Sequence, residues 1–194
     1  MKRALDVTVA VVCLAVTLPL LAFIAFVIGL ASGAPVLYVS PRIGRDGRPF
    51  GMWKFRSMVP GADRVGPLVT AKDDPRITRV GRFLRSTKLD ELPSLWNVVL
   101  GDMSLVGPRP ENPRSVSAYT DEQRRVLRVR PGVTSLATIT YRHEERILTG
   151  VDDVERVYLD VMSRKLAVDL DYVARQSFWL DCRILARTVV ALFR

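Results

Sequence analysis

The stretch VTVAVVCLAVTLPLLAFIAFVIGLA, Val7 to Ala31, decides how this chain is read. It carries no charge, it exceeds the roughly 20 apolar residues that cross a bilayer, and Pro19 stands in its middle. Proline has no amide hydrogen and crowds the preceding turn, so a kink or break is predicted at Pro19, with Thr17 close enough to serve a freed carbonyl. Cations flank the run on both sides: Lys2 and Arg3 before it, Arg42, Arg45, Arg48, Lys54 and Arg56 after it. Positive flanks tend to stay cytoplasmic, and a straight span can keep only one of its ends there. A helix broken at Pro19 that enters and leaves by one leaflet keeps both. The flanks therefore favour a re-entrant membrane helix hairpin over residues 1–34, and a proline-kinked span is the alternative that these residues leave open. A cleaved signal peptide fits less well because the run outgrows an h-region, although Ser32 and Ala34 imitate a cleavage site.

Charge is distributed to match. The formal net charge is +9 over 194 residues, and Ser40 to Lys88 alone holds 12 Lys and Arg against 4 Asp and Glu. Residues 89 to 194 balance. The positive field thus belongs to the segment that leaves the membrane, where it would meet anionic headgroups and could hold an anionic substrate; nucleic acid is the rival partner. Cys13 and Cys182 offer no disulfide framework. There is no Walker A run, no GxGxxG fingerprint and no paired CxxC, which removes the support for a nucleotide hydrolase, a dinucleotide enzyme or a zinc module.

Beyond the apolar run the pattern is α+β and mainly helical, one catalytic-sized domain over residues 35–194. Val36 to Ile43 and Phe50 to Phe55 read as a β-hairpin turning at Asp46-Gly47. Pro60, Gly61, Gly66, Pro67 and Pro75 argue an irregular loop. A short helix is predicted around Val80 to Arg85. In the next, Leu92, Leu95, Trp96, Val99 and Leu100 recur at helical spacing, with Asp90 placed as N-cap and Gly101 past the end. Gly107 to Pro113 reads as a stiff extended stretch, and Asp121 to Val129, Asp152 to Ser163 and Asp169 to Phe193 as helices. The last mixes Phe178, Trp179, Ile184 and Val189 with Arg183 and Arg187. It suits either a membrane interface or a core-facing surface, and the sequence leaves both open.

Chemistry is sought at Asp90-Glu91. Adjacent carboxylates at a helix start are held ionised by the dipole, at a place that also attracts phosphate. An ionised Asp can be a nucleophile and a Glu can hold a hard cation. Helix stability alone would also select both residues. Lys54, Arg56, Arg76, Arg79, Arg82, Arg85 and Arg109 are more cations than capping needs, and arginine forks suit phosphate oxygens. The only histidine, His143, has no second ligand at metal-site spacing.

Asp74-Pro75-Arg76-Ile77-Thr78-Arg79-Val80-Gly81-Arg82-Phe83-Leu84-Arg85, then Lys88-Leu89-Asp90-Glu91-Leu92-Pro93, then Gly101-Asp102-Met103-Ser104-Leu105-Val106-Gly107-Pro108-Arg109-Pro110, resemble the bacterial sugar transferases, the monotopic phosphoglycosyl transferases. Lys54-Phe55-Arg56-Ser57-Met58 is similar to their motif after the hairpin, and the likeness continues to Ser177-Phe178-Trp179-Leu180-Asp181. The resemblance implies an enzyme of the bacterial inner membrane, facing the cytoplasm. It would move a sugar 1-phosphate from a UDP-sugar to a polyprenyl phosphate such as undecaprenyl phosphate, releasing UMP, as the first membrane step of a surface glycan. It implies Asp90 as the nucleophile forming a covalent phosphosugar intermediate, Glu91 as the Mg2+ ligand, and Lys54, Arg56, Arg85 and Arg109 as phosphate-handling residues. It also implies the re-entrant hairpin, with Pro19 at the matching proline, membrane lipids but no nucleic acid as partners, and the small catalytic-core form. A homodimer is compatible with these residues and required by none. Pro131-Gly132-Val133-Thr134-Ser135-Leu136 departs from the family's Pro-Gly-Ile-Thr-Gly-Leu, which bears on sugar specificity. A membrane-tethered basic scaffold without chemistry is the opposing reading.

Overall fold

The computed structural model describes residues 1–62, 74–142 and 154–192. His143 and most of the predicted Pro/Gly loop lie outside the described residues.

Helix α1, Lys2–Ser32, is long and apolar enough to cross a membrane and stays helical through Pro19. At 1.5 Å per residue its 31 residues amount to about 46 Å of helix. Pro19 cannot donate to the Ala15 carbonyl. Thr17 does not serve that carbonyl either: its hydroxyl donates to the Cys13 carbonyl at 2.6 Å, a back-bond of the kind that bends helices.

Both ends of α1 dock on the rest of the protein, and its middle does not. At the N-terminus Lys2 Nζ donates to Asp181 Oδ2 at 2.6 Å and to the Val106 carbonyl at 3.1 Å. Arg3 donates to the Val98 and Val99 carbonyls, and the buried Asp6 carboxylate accepts from Ser104 Oγ and the Leu105 amide. At the C-terminus Ile24 and Ile28 pack with Phe55 and Leu84. Each such aliphatic side chain, fully buried, stabilises the fold by about 1.5–3 kcal/mol. Between the two docking points Val12, Val16, Leu18 and Leu20 are exposed.

Strands β1 (Leu37–Ile43) and β2 (Pro49–Phe55) form the predicted antiparallel hairpin, with Tyr38 opposite Lys54 and Arg42 opposite Phe50. Its turn places Asp46 and Gly47 in the left-handed region, φ 58° and 74°. Helix α2 (Arg79–Thr87) exceeds the predicted Val80 to Arg85, because Thr78 Oγ1 accepts from the Gly81 amide and caps it a residue earlier. Its first turn lies so close to the preceding loop that a Cβ on Gly81 would come within 1.8 Å of the Ser57 carbonyl oxygen.

The helix expected to start at Asp90 is divided. Leu89–Ser94 is a 3-10 helix and α3 spans Leu95–Leu100, so Asp90 sits in a first turn whose N-cap is Lys88, not at the cap itself. The cause is upstream: Lys88 ends α2 in the left-handed conformation and turns the chain sharply. Past Gly101, Ser104–Val106 is a strand, β3, running parallel to β4 (Gly132–Thr134). Neither was expected, since three residues are too few for an alternating pattern. Between them lie the short helix α4 (Pro113–Ser117) and a 3-10 helix, Gln123–Arg128, where an α-helix was predicted. Helix α5 (Leu136–Thr140) follows β4.

The C-terminal helices are α6 (Val154–Arg175) and α7 (Phe178–Leu192). The predicted interruption between Ser163 and Asp169 is absent, for no residue there breaks a helix. The chain turns instead at Gln176-Ser177, and Ser177 Oγ accepts from the Leu180 amide. On α7 the core-facing reading is met at Ile184, which is buried in the core, while Trp179, Val189 and Val190 stay exposed. The main core joins Ala10 of α1, Met52 of β2, Val98 of α3, Val106 of β3, Tyr172 of α6 and Ile184 of α7.

Candidate active site

Three elements deliver charged groups to one place. The 3-10 helix presents Asp90 and Glu91, β2 presents Lys54, and the segment after β3 presents Arg109. Close backbone packing sets that last segment. Gly107 donates its amide to the Thr134 carbonyl, and Gly132 donates to the Pro108 carbonyl, while a Cβ on Gly107 would fall 2.4 Å from the Arg130 carbonyl oxygen. Asn97, buried in α3, fixes β2 from the other side: its Oδ1 accepts from the Trp53 amide and its Nδ2 donates to the Gly51 carbonyl.

Glu91 is clamped. Lys54 Nζ donates to its Oε1 at 2.8 Å, and Arg109 makes a fork, Nη2 to Oε1 at 2.6 Å and Nη1 to Oε2 at 3.1 Å. Burial alone would push the Glu91 carboxyl up, but Arg109 and Lys54 overcome it and hold it well below the usual carboxylate range. Lys54 is lowered in turn by burial, against the pull of Glu91, and the charges of Arg109 and Arg42 lower it further.

Asp90 has the opposite environment. It is 6% exposed, and among the described residues no hydrogen bond or ion pair engages its carboxylate. Burial, and then the negative charge of Glu91, push its carboxyl up to about 6, with Lys54, Arg85 and Lys88 pulling down. The expectation that a helix start holds both carboxylates strongly ionised therefore fits Glu91 and not Asp90. Charged partners decide the difference, since the short 3-10 turn offers little dipole.

Asp90 opens into a cavity of 610 Å³ whose wall also includes Arg42, Lys54, Arg56, Arg85 and Arg114. Arg85, on α2, lines the cavity, and its charge pulls the Asp90 carboxyl down. Arg56 also reaches the cavity wall, but its Nη2 is turned to the end of α1 and donates to the Ser32 and Gly33 carbonyls, both at 2.7 Å. Its Nε and Nη1 are buried with no partner. Arg76 belongs to the scaffold: its guanidinium holds the Asp74 carboxylate and the Ala62 carbonyl, and that hydrogen bonding keeps the Asp74 carboxyl low. Arg42 and Arg114 were missed by the sequence reading. They sit in no motif used above: the register of the hairpin brings Arg42 to this wall, and the bond from the Ile43 amide to the Glu111 carbonyl brings the segment of Arg114 beside it.

Among the described residues no group of three or more His, Cys, Asp or Glu gathers as a metal cage. The available donors are the adjacent Asp90 and Glu91, a set suited to an ion that keeps waters and shares substrate phosphates, such as Mg2+.

The sequence profile described as bacterial sugar transferase matches residues 1–194. The undecaprenyl-phosphate glucose phosphotransferase of Komagataeibacter xylinus is 38% identical over 195 residues, which take in 97% of this chain and 35% of that protein. The UDP-glucose:undecaprenyl-phosphate glucose-1-phosphate transferase of Escherichia coli K12 is 38% identical over 197 residues, 97% of this chain and 39% of that protein. The protein of the same name from Caulobacter vibrioides is 39% identical over 194 residues, 98% of this chain and 69% of that protein. The chain thus spans well under half of the first two relatives and about two thirds of the third.

Proposed function

Because the chain belongs to the bacterial sugar transferase family, we propose that it transfers a sugar 1-phosphate from a UDP-sugar to a polyprenyl phosphate such as undecaprenyl phosphate, with release of UMP. The observation that carries this reading is an unengaged carboxylate, Asp90, opening into a cavity walled by cations and seated beside a clamped one, Glu91. Transfer of a phosphoryl group asks for in-line positioning and neutralised charge more than for acid–base chemistry.

In the first half-reaction an Asp90 oxygen attacks the β-phosphorus of the donor. A bond from oxygen to phosphorus forms, the phosphoanhydride bond breaks, and UMP leaves with its electron pair. In the second, an oxygen of the lipid phosphate attacks the same phosphorus and Asp90 departs as a carboxylate. No general acid is needed at either step, since UMP and a carboxylate are both stable anions. Arg85, Lys54 and Arg109 bear on the negative charge, and Arg56, on the wall, keeps two buried nitrogens, Nε and Nη1, without a partner.

A magnesium ion fits the residues present. Glu91 would hold it, because each carboxylate oxygen has two lone-pair directions and Lys54 and Arg109 fill both on Oε1 but leave one open on Oε2. When bound, the ion neutralises the diphosphate and polarises the transferred group.

The acceptor explains the anchor. A long isoprenoid does not travel through water, so the cavity belongs at headgroup depth, and α1 enters and leaves on the cytoplasmic side in our reading. The docked ends of α1 and its exposed middle around Pro19 favour that re-entrant course. A cysteine at Gly33 should then resist a membrane-impermeant maleimide applied to the periplasmic side, and labelling there would give the straight span instead.

The deciding experiment is UMP release from a panel of UDP-sugars by the detergent-purified protein with Mg2+, with and without undecaprenyl phosphate. Release that needs one sugar, the lipid and Asp90 supports the assignment. Turnover retained by Asp90→Asn would remove the nucleophile from it.

A further inference from the structure

The transfer reading uses three cations of the cavity wall, Lys54, Arg56 and Arg85, and leaves Arg42 without a task. Arg42 lies on β1 opposite Phe50, and Tyr38, four residues earlier on the same strand, lies opposite Lys54. The two-residue period of the hairpin therefore puts Arg42 on the face that carries Lys54. Its charge reaches Lys54 strongly enough to depress that ammonium. Two cations held this close normally share a carboxylate. Lys54 has Glu91, but among the described residues no carboxylate pairs with Arg42. The Arg42 Nε is moreover buried with no hydrogen-bond partner. A buried donor left unpaired is costly, and an arginine is the costliest place for it, so the arrangement is explained by a ligand that supplies the acceptor.

Beside it runs the segment Glu111 to Arg114, bonded to β1 through the Ile43 amide. Its Arg114 is exposed on the same cavity wall and begins no other ion pair among the described residues. Among the described residues Asp90 is the one carboxylate on that wall, and the transfer reading assigns it the attack.

We propose that Arg42, with Arg114 beside it, forms a phosphate-binding arm of the cavity, distinct from the clamp on Glu91, which takes the oxygens of a phosphate mono- or diester. The inference rests on the transfer reading for its substrates. The arm's chemistry suits either the nucleotide diphosphate or the lipid phosphate, and the experiment separates them.

Binding of UMP and of a short polyprenyl phosphate to the detergent-purified full chain would be measured for the unaltered protein and for Arg42→Gln, Arg42→Lys and Arg114→Gln. A charge-assisted fork should be lost with about a tenfold or greater rise in Kd for Arg42→Gln. Arg42→Lys should recover only part, because an ammonium cannot make the fork. A rise for UMP alone assigns the arm to the donor, a rise for the lipid alone assigns it to the acceptor, and equal rises mean that both halves of the reaction use it in turn. Unchanged Kd values for both ligands in Arg42→Gln overturn the arm, as does a loss that follows a lowered Tm and is shared by Asn97→Ala, which loosens the hairpin and the Asp102 contact without touching the cavity wall. If the unaltered protein binds neither ligand and releases no UMP, the transfer reading fails instead, and the arm with it.

Discussion

Asp90→Asn should abolish turnover and at the same time make the protein more stable. Burial raises the Asp90 carboxyl from its ordinary 3.8 to about 6. Between those two values the folded chain binds more protons than the unfolded one, so the contribution of Asp90 to stability is most favourable below pH 3.8. It declines as pH rises through 6 and is a constant cost above that. Two pH units of separation correspond to roughly 3 kcal/mol at pH 7.5. Coupling to Glu91 shares part of that cost, so a gain of about 1–3 kcal/mol is expected when asparagine, nearly the same shape and never charged, replaces the acid. For a chain of this size that is a rise of about 2–10 °C in Tm. Thermal unfolding in detergent at pH 7.5 and again at pH 5, alongside UMP release, tests it. The gain should be largest at pH 7.5 and shrink at pH 5. A variant no more stable than the parent at pH 7.5, or one whose gain ignores pH, would refute the claim that Asp90 is a carboxylate kept reactive at the expense of the fold.

Arg109→Lys keeps one charge but loses the fork on Glu91, and kcat/KM should fall about 10- to 100-fold; activity within twofold of the parent would show that the clamp is ornamental. Gly81→Ala places a methyl within 1.8 Å of the Ser57 carbonyl oxygen, so the loop behind Lys54 and Arg56 must shift, with a loss of about 1–3 kcal/mol or more in unfolding experiments; an unchanged Tm would contradict the close approach. Lys54 and Arg109 already neutralise Glu91, so calorimetry should find Mg2+ binding weak in the absence of nucleotide and at least about tenfold tighter with UDP present. Equal affinity in both titrations would place the ion elsewhere.

How far the site could be read from the residues depended on how local its determinants are. Asp90 and Glu91 are adjacent, and Lys54, Arg85 and Arg109 fall in long motifs, so their candidacy was visible in the chain. The clamp itself joins residues 37 and 18 positions apart from Glu91 and depends on the crossing of Gly107 with Gly132, which no local pattern announces. Arg56 shows the converse: its motif marks it as a phosphate binder, yet part of its guanidinium terminates α1, a use that depends on where an element 23 residues earlier happens to end. The hairpin and α2 follow from turn and cap chemistry and were foreseen. Strands β3 and β4 were not, because their three residues each are held by the partner strand and by Asp6 and Lys2 of α1 rather than by any pattern of their own.

The pairing of these two neighbouring carboxylates carries a physical consequence. Placed side by side with nothing else, two acids repel, and each makes the other harder to ionise. Here the cations are distributed unequally: Lys54 and Arg109 are committed to Glu91, and Asp90 receives only the more distant fields of Lys54, Arg85 and Lys88. Glu91 is therefore a fixed negative charge at any pH the cell offers, suited to holding a cation and unsuited to attack. Asp90 titrates near 6, so at neutral pH it is mostly a carboxylate that no hydrogen bond tames, which is the condition a nucleophile needs. The same division accounts for the surplus of arginines. A cavity with six cations and, among the described residues, one carboxylate on its wall repels itself, and a diphosphate entering it would relieve that repulsion while exposing its phosphorus to Asp90. Binding energy drawn from the non-reacting phosphate oxygens is then available to hold the reacting one in line. It follows that weakening any one wall cation should damage the transfer of a diphosphate donor more than the binding of a neutral sugar, since the sugar offers those cations nothing to neutralise.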